Sequence, residues 1–351
     1  MNITQNHFGN LKNGEPVEQY HLTNDHHISV TILSLGSTLQ SILTPNSSGQ
    51  LGDILLGFDT LEAYENDQQY MGCVAGPVAG RINRGQYSWQ GEAFQLDCNW
   101  QGHHLHGGVA GLNRKNWIGQ TKLLTDSVKL ELTCQAAHGE GGYPGNRTFK
   151  TTYILNNKNQ LLIYFEATTD RDSPVNMTSH GYFNLSDEPE TIYGHKLMLN
   201  ALKTLRFDEN LIPTGDFDYV LGNPTNVSRG EFFGAALEKM PSGLDHIYVL
   251  NKEYGRFGIA AKAIEPESGR TLELVTDQPA LVVYTSNFFD GTVAGKKGSL
   301  MPRHGAFCLE PQHFPDSVNH AQFPNTMLKA GETYKSHTQL AFGLVGDLHE
   351  H

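Results

Sequence analysis

Apolar and polar residues alternate with a period of two along most of this chain, and that pattern constrains its fold more than any other feature. Ile28, Val30 and Ile32 are spaced by Ser29 and Thr31, the signature of a strand with one buried face. In Val128-Lys129-Leu130-Glu131-Leu132 both charges fall on the same face. Tyr87 and Trp89, then Phe94 and Leu96, flank Gln90-Gly91-Glu92 and predict a hairpin. Phe149, Thr151, Tyr153 and Leu155 run into a turn at Asn156-Asn157-Lys158-Asn159, followed by Leu161, Ile163 and Phe165. Phe257, Ile259 and Ala261 extend the theme, as do Leu272, Leu274 and the run Leu281-Val282-Val283-Tyr284. Helical spacing is scarce, with one short turn expected at Thr60-Leu61-Glu62-Ala63-Tyr64. The 37 glycines suit many tight turns. No fixed-period repeat, low-complexity tract or Pro/Ser-rich linker divides the chain. The expectation is a single all-β domain over residues 1–351, a large sandwich of antiparallel sheets rather than a propeller.

Charge narrows the partners. Only 18% of residues are charged and the net charge is −12. Nucleic-acid binding rests on Lys and Arg neutralising phosphates, so a polyanion is disfavoured, and nothing recommends an acidic membrane surface. A neutral small molecule fits. Cys73, Cys98, Cys134 and Cys308 are far apart and form no CxxC pair; separate buried thiols are expected rather than a disulfide framework. The segment Met1-Asn2-Ile3-Thr4-Gln5-Asn6-His7 lacks a basic and apolar leader pattern. No apolar run approaches the roughly 18 residues of a membrane span. The expected location is cytoplasmic, and the oligomeric state is not legible.

One carboxylate stands out. In Phe307-Cys308-Leu309-Glu310-Pro311-Gln312-His313-Phe314-Pro315-Asp316, Glu310 lies between an apolar run and a proline. Proline fixes φ and biases the preceding residue towards an extended conformation, so Glu310 is expected to end a strand. A carboxylate after Phe-Cys-Leu is expected to be partly buried, and burial demands a partner or a use. Service as a general base is one such use; an ordinary strand-end glutamate is the alternative.

Three further polar clusters interrupt the strands. In Gly102-His103-His104-Leu105-His106-Gly107-Gly108, paired glycines permit positive φ and could aim His106 into a pocket. The three histidines invite a metal reading, but strand neighbours point to opposite faces and no HExxH or Cys/His spacing is present. Exposed or core histidines are the plain alternative. In Asn176-Met177-Thr178-Ser179-His180-Gly181-Tyr182-Phe183-Asn184-Leu185, polar and apolar groups interleave. His180 suits a general acid, because its reference pKa near 6.5 responds to small changes in surroundings; a hydrogen-bonded core histidine is the alternative. Asp245, at the entrance of Leu244-Asp245-His246-Ile247-Tyr248-Val249-Leu250, either accepts hydrogen bonds from hydroxyls or caps a turn. Together these groups offer an acid, a base and hydroxyl-binding positions, with no nucleophile motif or phosphate loop. That inventory suits proton transfer on a polyhydroxylated neutral substrate.

Across these blocks the sequence resembles the aldose 1-epimerase family. The resemblance runs through Ser34-Leu35-Gly36-Ser37, Asp53-Ile54-Leu55-Leu56-Gly57-Phe58, Gly80-Arg81-Ile82-Asn83, Leu105-His106-Gly107-Gly108 and Gly142-Tyr143-Pro144-Gly145. It continues through Ser179-His180-Gly181-Tyr182-Phe183-Asn184-Leu185, Ile212-Pro213-Thr214-Gly215, Leu244-Asp245-His246, Tyr284-Thr285-Ser286-Asn287-Phe288, Leu309-Glu310-Pro311-Gln312, Phe323-Pro324 and Gly331-Glu332-Thr333-Tyr334.

The resemblance implies a β-supersandwich and interconversion of α and β anomers of an aldose, galactose or glucose, without metal or other cofactor. It implies Glu310 as general base, His180 as general acid, and Arg81, His106 and Asp245 as sugar-binding residues. Three positions depart from the family pattern: Pro77 where Arg is common, Gly80 where Asn is common, and Val282 where Gln is common. The rivals are a non-catalytic sugar-binding or regulatory protein on the same scaffold, a hexose-phosphate epimerase, and a polysaccharide lyase. No Arg/Lys cluster beside the site blocks supports the phosphate reading, and the negative charge is a poor match for acidic polymers.

Overall fold

The computed structural model describes residues 1–188 and 190–346. Among the described residues, strands dominate and the ladders are antiparallel. The largest sheet has nine strands, in the spatial order Ile118–Leu123, Ser127–Ala136, Arg147–Asn156, Gln160–Thr169, Thr333–Leu344, Arg270–Thr276, Gly258–Ile264, Lys196–Leu199 and Glu231–Phe232. A six-stranded sheet runs Tyr182–Phe183, Phe307–Gln312, Ala280–Tyr284, Asp245–Leu250, Ala201–Phe207 and Pro213–Tyr219. The first part of the chain forms a five-stranded meander from Asn2–Asn10 to Leu51–Asp53. This is the expected sandwich.

The alternation sorts side chains between faces. In the nine-stranded sheet Leu130, Tyr153 and Ile163 lie side by side across three strands, each at most 2% exposed. They pack into one core with Phe307, Leu309, Leu281, Val283 and Tyr248 from the six-stranded sheet. The intervening residues of that smaller sheet point the other way. Cys308, Val282, Tyr284, Ile247 and Tyr182 join a second core, closed by Val17, Leu33, Phe58 and Met71 from the first part of the chain. The two faces of one sheet thus do different work: one holds the sandwich together, and the other carries polar groups and aromatics under a separate cover.

The hairpin Gln86–Trp89 with Glu92–Gln95 forms as expected. So does the short helix Leu61–Glu65, whose first turn is capped by Thr60 accepting from Ala63 N–H at 3.3 Å. Two expectations need correction. Phe257 and Ile259 do not share a buried face with Ala261: they are 40% and 52% exposed, while Ala260 and Ala261 are both buried. A register shift between Ile259 and Ala261 inserts one residue and flips the pattern. Nor does the strand end at Glu310; it continues through Pro311 to Gln312. Its neighbour on one side, Tyr182–Phe183, pairs only with Cys308 and Phe307. Pro311 therefore lies beyond that short ladder, where a missing N–H costs no sheet hydrogen bond.

Candidate active site

Glu310 stands on the site face of the six-stranded sheet, directly across the ladder from Val282. It is 2% exposed, and its Oε2 has no hydrogen-bond partner. Its Oε1 lies 3.5 Å from Nε2 of His180, itself 5% exposed. His180 enters from a connecting segment held at both ends of its peptide unit: its N–H donates to Cys73 O at 2.9 Å, and its own carbonyl accepts from Gly72 N–H at 3.1 Å. The other ring nitrogen, Nδ1, is 3.7 Å from the sulfur of Cys308.

His106 is aimed by its glycines, as the sequence suggests. His106, Gly107 and Gly108 all have left-handed backbones, with φ of 50°, 94° and 76°. A Cβ on Gly107 would meet Gly76 O at 1.8 Å, and one on Gly108 would meet Asp97 Oδ1 at 1.7 Å. Gly107→Ala is accordingly expected to cost roughly 2–6 kcal/mol through strain and overpacking together. A urea melt would read this, and an unchanged midpoint would refute it. Gly80 N–H donates to His106 Nδ1 at 3.2 Å, and His106 N–H donates back to Gly80 O at 3.1 Å. Gly80 also has positive φ, 74°, with Pro315 Cγ 2.6 Å from where a Cβ would sit. The departure from Asn at this position has a local steric reason.

Arg81 follows Gly80, and Asp316 pins the chain at Arg81 and again two residues on at Asn83. Asp316 N–H donates to Arg81 O at 2.9 Å, and Asp316 Oδ1 accepts from Asn83 N–H at 3.1 Å. The Arg81 guanidinium lies 5.9 Å over the Trp100 ring, and its buried Nε has no partner. Asp245 begins its strand opposite Tyr284.

These elements meet at a cleft of about 80 Å³ lined by Arg81, His106, His180 and Asp245, with Tyr70, Tyr182, Tyr284, Trp100 and Phe288 around them. Glu310 is not on its wall but just beneath, behind His180. All five residues singled out in the sequence therefore converge. A larger hollow of about 640 Å³ lies between the first sheet and residues 295–305, and none of the five lines it. The aromatic wall was not anticipated. Tyr182 and Tyr284 fall in blocks already noted, but Tyr70 lies in a loop at φ 57°, where no periodicity marks it.

Electrostatics follow from burial. Desolvation, with the negative charge of Asp245 adding to it, pushes the Glu310 carboxyl well above its usual range, and Arg81 offsets part of this. Desolvation lowers His180 to about 4. His106 is held well below its usual value, first by burial and then by His180 and Arg81. Burial thus favours the uncharged form of both partners, so that a proton held by the pair rests on the Glu310 carboxyl rather than on the His180 ring.

His103 and His104 go elsewhere. His103 Nδ1 accepts from Arg84 N–H at 3.0 Å, and His104 is fully buried between Asp97 O and Tyr143 OH, 2.6 Å from each. A different trio, His106, His180 and Glu310, brings possible metal ligand atoms within 4.8 Å of one another. The chemistry of the donors opposes a metal there. His106 Nδ1 accepts a backbone N–H, so Nε2 carries the proton of the neutral ring and presents a donor rather than a lone pair.

Comparison with known proteins places this geometry. Residues 18–341 match the family model described as Aldose 1-epimerase. Mouse galactose mutarotase is 37% identical over 348 residues, 98% of this chain and 100% of the relative. The GalM/aldose epimerase homologue of C. elegans superposes with a TM-score of 0.86 at 28% identity, covering 93% of this chain and 98% of its own. The galactose 1-epimerase of Lactobacillus acidophilus NCFM also gives 0.86, at 26% identity, covering 98% and 99%. The chain belongs to the aldose 1-epimerase family.

Proposed function

We propose that this protein is an isomerase, a mutarotase that interconverts the α and β anomers of an aldose. Galactose is the first sugar to test, since relatives carry its name. The observation that carries the reading is the pair Glu310 and His180, buried 3.5 Å apart at the base of the cleft, in a chain matched to the family over nearly its whole length.

Opening a pyranose hemiacetal removes a proton from the C1 hydroxyl and delivers one to the ring oxygen. Glu310 takes the first and His180 gives the second. Sugar hydroxyls donating to the carboxylate favour its ionised form, drawing the resting proton across to His180 Nε2. The aldehyde turns about C1–C2 and recloses on its other face as both transfers reverse. Each transfer contributes roughly 10²–10⁴-fold. His106, held as the Nε2–H tautomer, donates to a sugar oxygen; Arg81 donates and Asp245 accepts. Val282, paired with Glu310 across the ladder, is apolar where glutamine is common; a polar contact there is worth about 0.5–1.5 kcal/mol, so the position bears on sugar preference rather than on catalysis.

We also read the chain as one domain, supported by a core that draws on residues from Tyr20 to Phe342. The four free cysteines support a reducing, cytoplasmic setting. No helix among the described residues is long and apolar enough to cross a membrane.

Polarimetry on freshly dissolved α-D-galactose and α-D-glucose tests the activity. A faster approach to the same final rotation is expected. No acceleration with either sugar, in a protein that still binds them calorimetrically, would favour the sugar-binding alternative.

A further inference from the structure

The geometry points to Cys308 as a positioning residue for the proposed reaction: its sulfur holds His180 in the tautomer that leaves Nε2 open to the travelling proton. This rests on the acid role proposed above for His180. A neutral imidazole carries its proton on one nitrogen only, and the hydrogen bond at the other decides which. For a proton to pass between Glu310 and His180, Nε2 must offer its lone pair across the 3.5 Å to Oε1. Nδ1 must then keep the ring proton, and a buried N–H needs an acceptor. The sulfur of Cys308, 3.7 Å from Nδ1 and 0% exposed, is in that place. Cys308 neighbours Glu310 on the same strand and the same face, two residues away, and pairs across the ladders with both Tyr182 and Tyr284. Base and tautomer-setting group are therefore fixed on one rigid element.

The remaining surroundings of His180 are mainly rings, with one backbone acceptor. The rings of Tyr70, His106, Tyr182 and Tyr284 have centroids 5.1–6.5 Å from its own. The charged groups of the cleft are Arg81 and Asp245, beyond Glu310 itself. The histidine's own carbonyl accepts from Gly72 N–H and is also a hydrogen-bond partner of the ring, so it shares with the sulfur the holding of the ring proton. Burial pushes the thiol well above its ordinary range, so the sulfur stays uncharged. It serves as a weak acceptor in both states of the ring: it fixes the tautomer without trapping an imidazolium, as a carboxylate in its place would. The two site histidines are thereby set in opposite tautomers, His106 as a fixed donor and His180 as a proton carrier.

The test compares wild type, Cys308→Ala and Cys308→Ser in mutarotation of α-D-galactose across pH. Cys308→Ala is expected to lose at least about tenfold in kcat, a part of what an acid supplies, with KM changed by less than about twofold. Its low-pH edge should move to lower pH, because the imidazolium loses the acceptor that favours it. Cys308→Ser, whose hydroxyl oxygen also accepts, should restore most of the rate and the wild-type edge. An alanine variant with the wild-type rate and profile overturns the proposal, and so does a serine variant as slow as alanine, which would indicate packing alone. Should alanine fail to fold, ¹⁵N imidazole spectra of wild type decide: Nδ1–H on neutral His180 supports the assignment, and Nε2–H refutes it. A wild type that leaves galactose rotation unaccelerated would fail the proposed function instead, a distinguishable result.

Discussion

The Glu310→Gln variant is expected to lose nearly all turnover and, at about pH 8, to melt higher than wild type. Both outcomes have one origin. The amide keeps the shape and still meets hydroxyls, so sugar binding largely persists, but it has no basic oxygen to take the C1 proton. The stability gain follows from linkage. In the unfolded chain this carboxyl titrates near its ordinary value; in the folded protein desolvation and Asp245 raise it. A raised carboxyl favours the folded state at low pH, and that contribution is lost as pH rises from the unfolded pKa through the folded one. Once ionised above its raised pKa, the wild-type carboxylate has an Oε2 that lacks a partner; the neutral amide carries no such charge. Relief on the order of 1–3 kcal/mol is reasonable for such a group, about 2–6 °C in melting temperature for a chain of this size. The difference should shrink towards pH 4.5. An inactive variant that melts below wild type at pH 8 would show that Glu310 holds the fold as well as the reaction.

Acid should weaken the fold steeply, well before carboxylates in general are protonated. Desolvation holds His180, His195 and His313 at about 4, and His106 well below its ordinary value. A depressed histidine works in the opposite sense to Glu310. As pH falls below the unfolded value near 6.5, the unfolded chain takes up protons that the folded protein refuses, so stability is lost between about 6.5 and 4. Glu310, Asp67 and Asp316, whose carboxyls burial raises, oppose the trend, but they are fewer. A net loss of several kcal/mol, on the order of 5–10 °C between about pH 7.5 and 5, is expected. His195 gives a clean control. Its Nε2 accepts from Leu185 N–H at 2.8 Å, a role the oxygen of glutamine can fill, so His195→Gln should flatten the slope while changing little at pH 8. A melting temperature that is level or rises on acidification would contradict the argument.

Much of this architecture is legible in the residues themselves. Alternation identifies the strands because a half-buried sheet demands it, and it fails at Phe257 because one inserted residue beside Ile259 reverses which side chains face inward. The proline after Glu310 correctly marks a stiff, extended carboxylate. What it could not convey is that the adjoining ladder stops at Cys308, which lets the strand run on past the proline. The glycines after His106 announce an unusual backbone, and the structure supplies the Gly76 carbonyl that makes them obligatory. Asp245 is marked by its place at a strand entrance, but Arg81 stands out only through resemblance, since nothing local distinguishes an arginine whose Nε is buried from one in solvent. Tyr70 and Trp100 leave no trace, because loops from distant parts of the chain bring them together.

The division of labour within Phe307–Gln312 has a practical corollary. Residues one step apart on this strand answer to different constraints: Phe307 and Leu309 to the packing of the sandwich, Cys308 and Glu310 to the proton's path. Altering the second set should retune chemistry in a scaffold that remains intact, whereas a one-residue deletion within the strand would send the carboxylate into grease and an apolar side chain into the cleft. Evolution and the protein engineer thus inherit the same rule: this site is edited in steps of two.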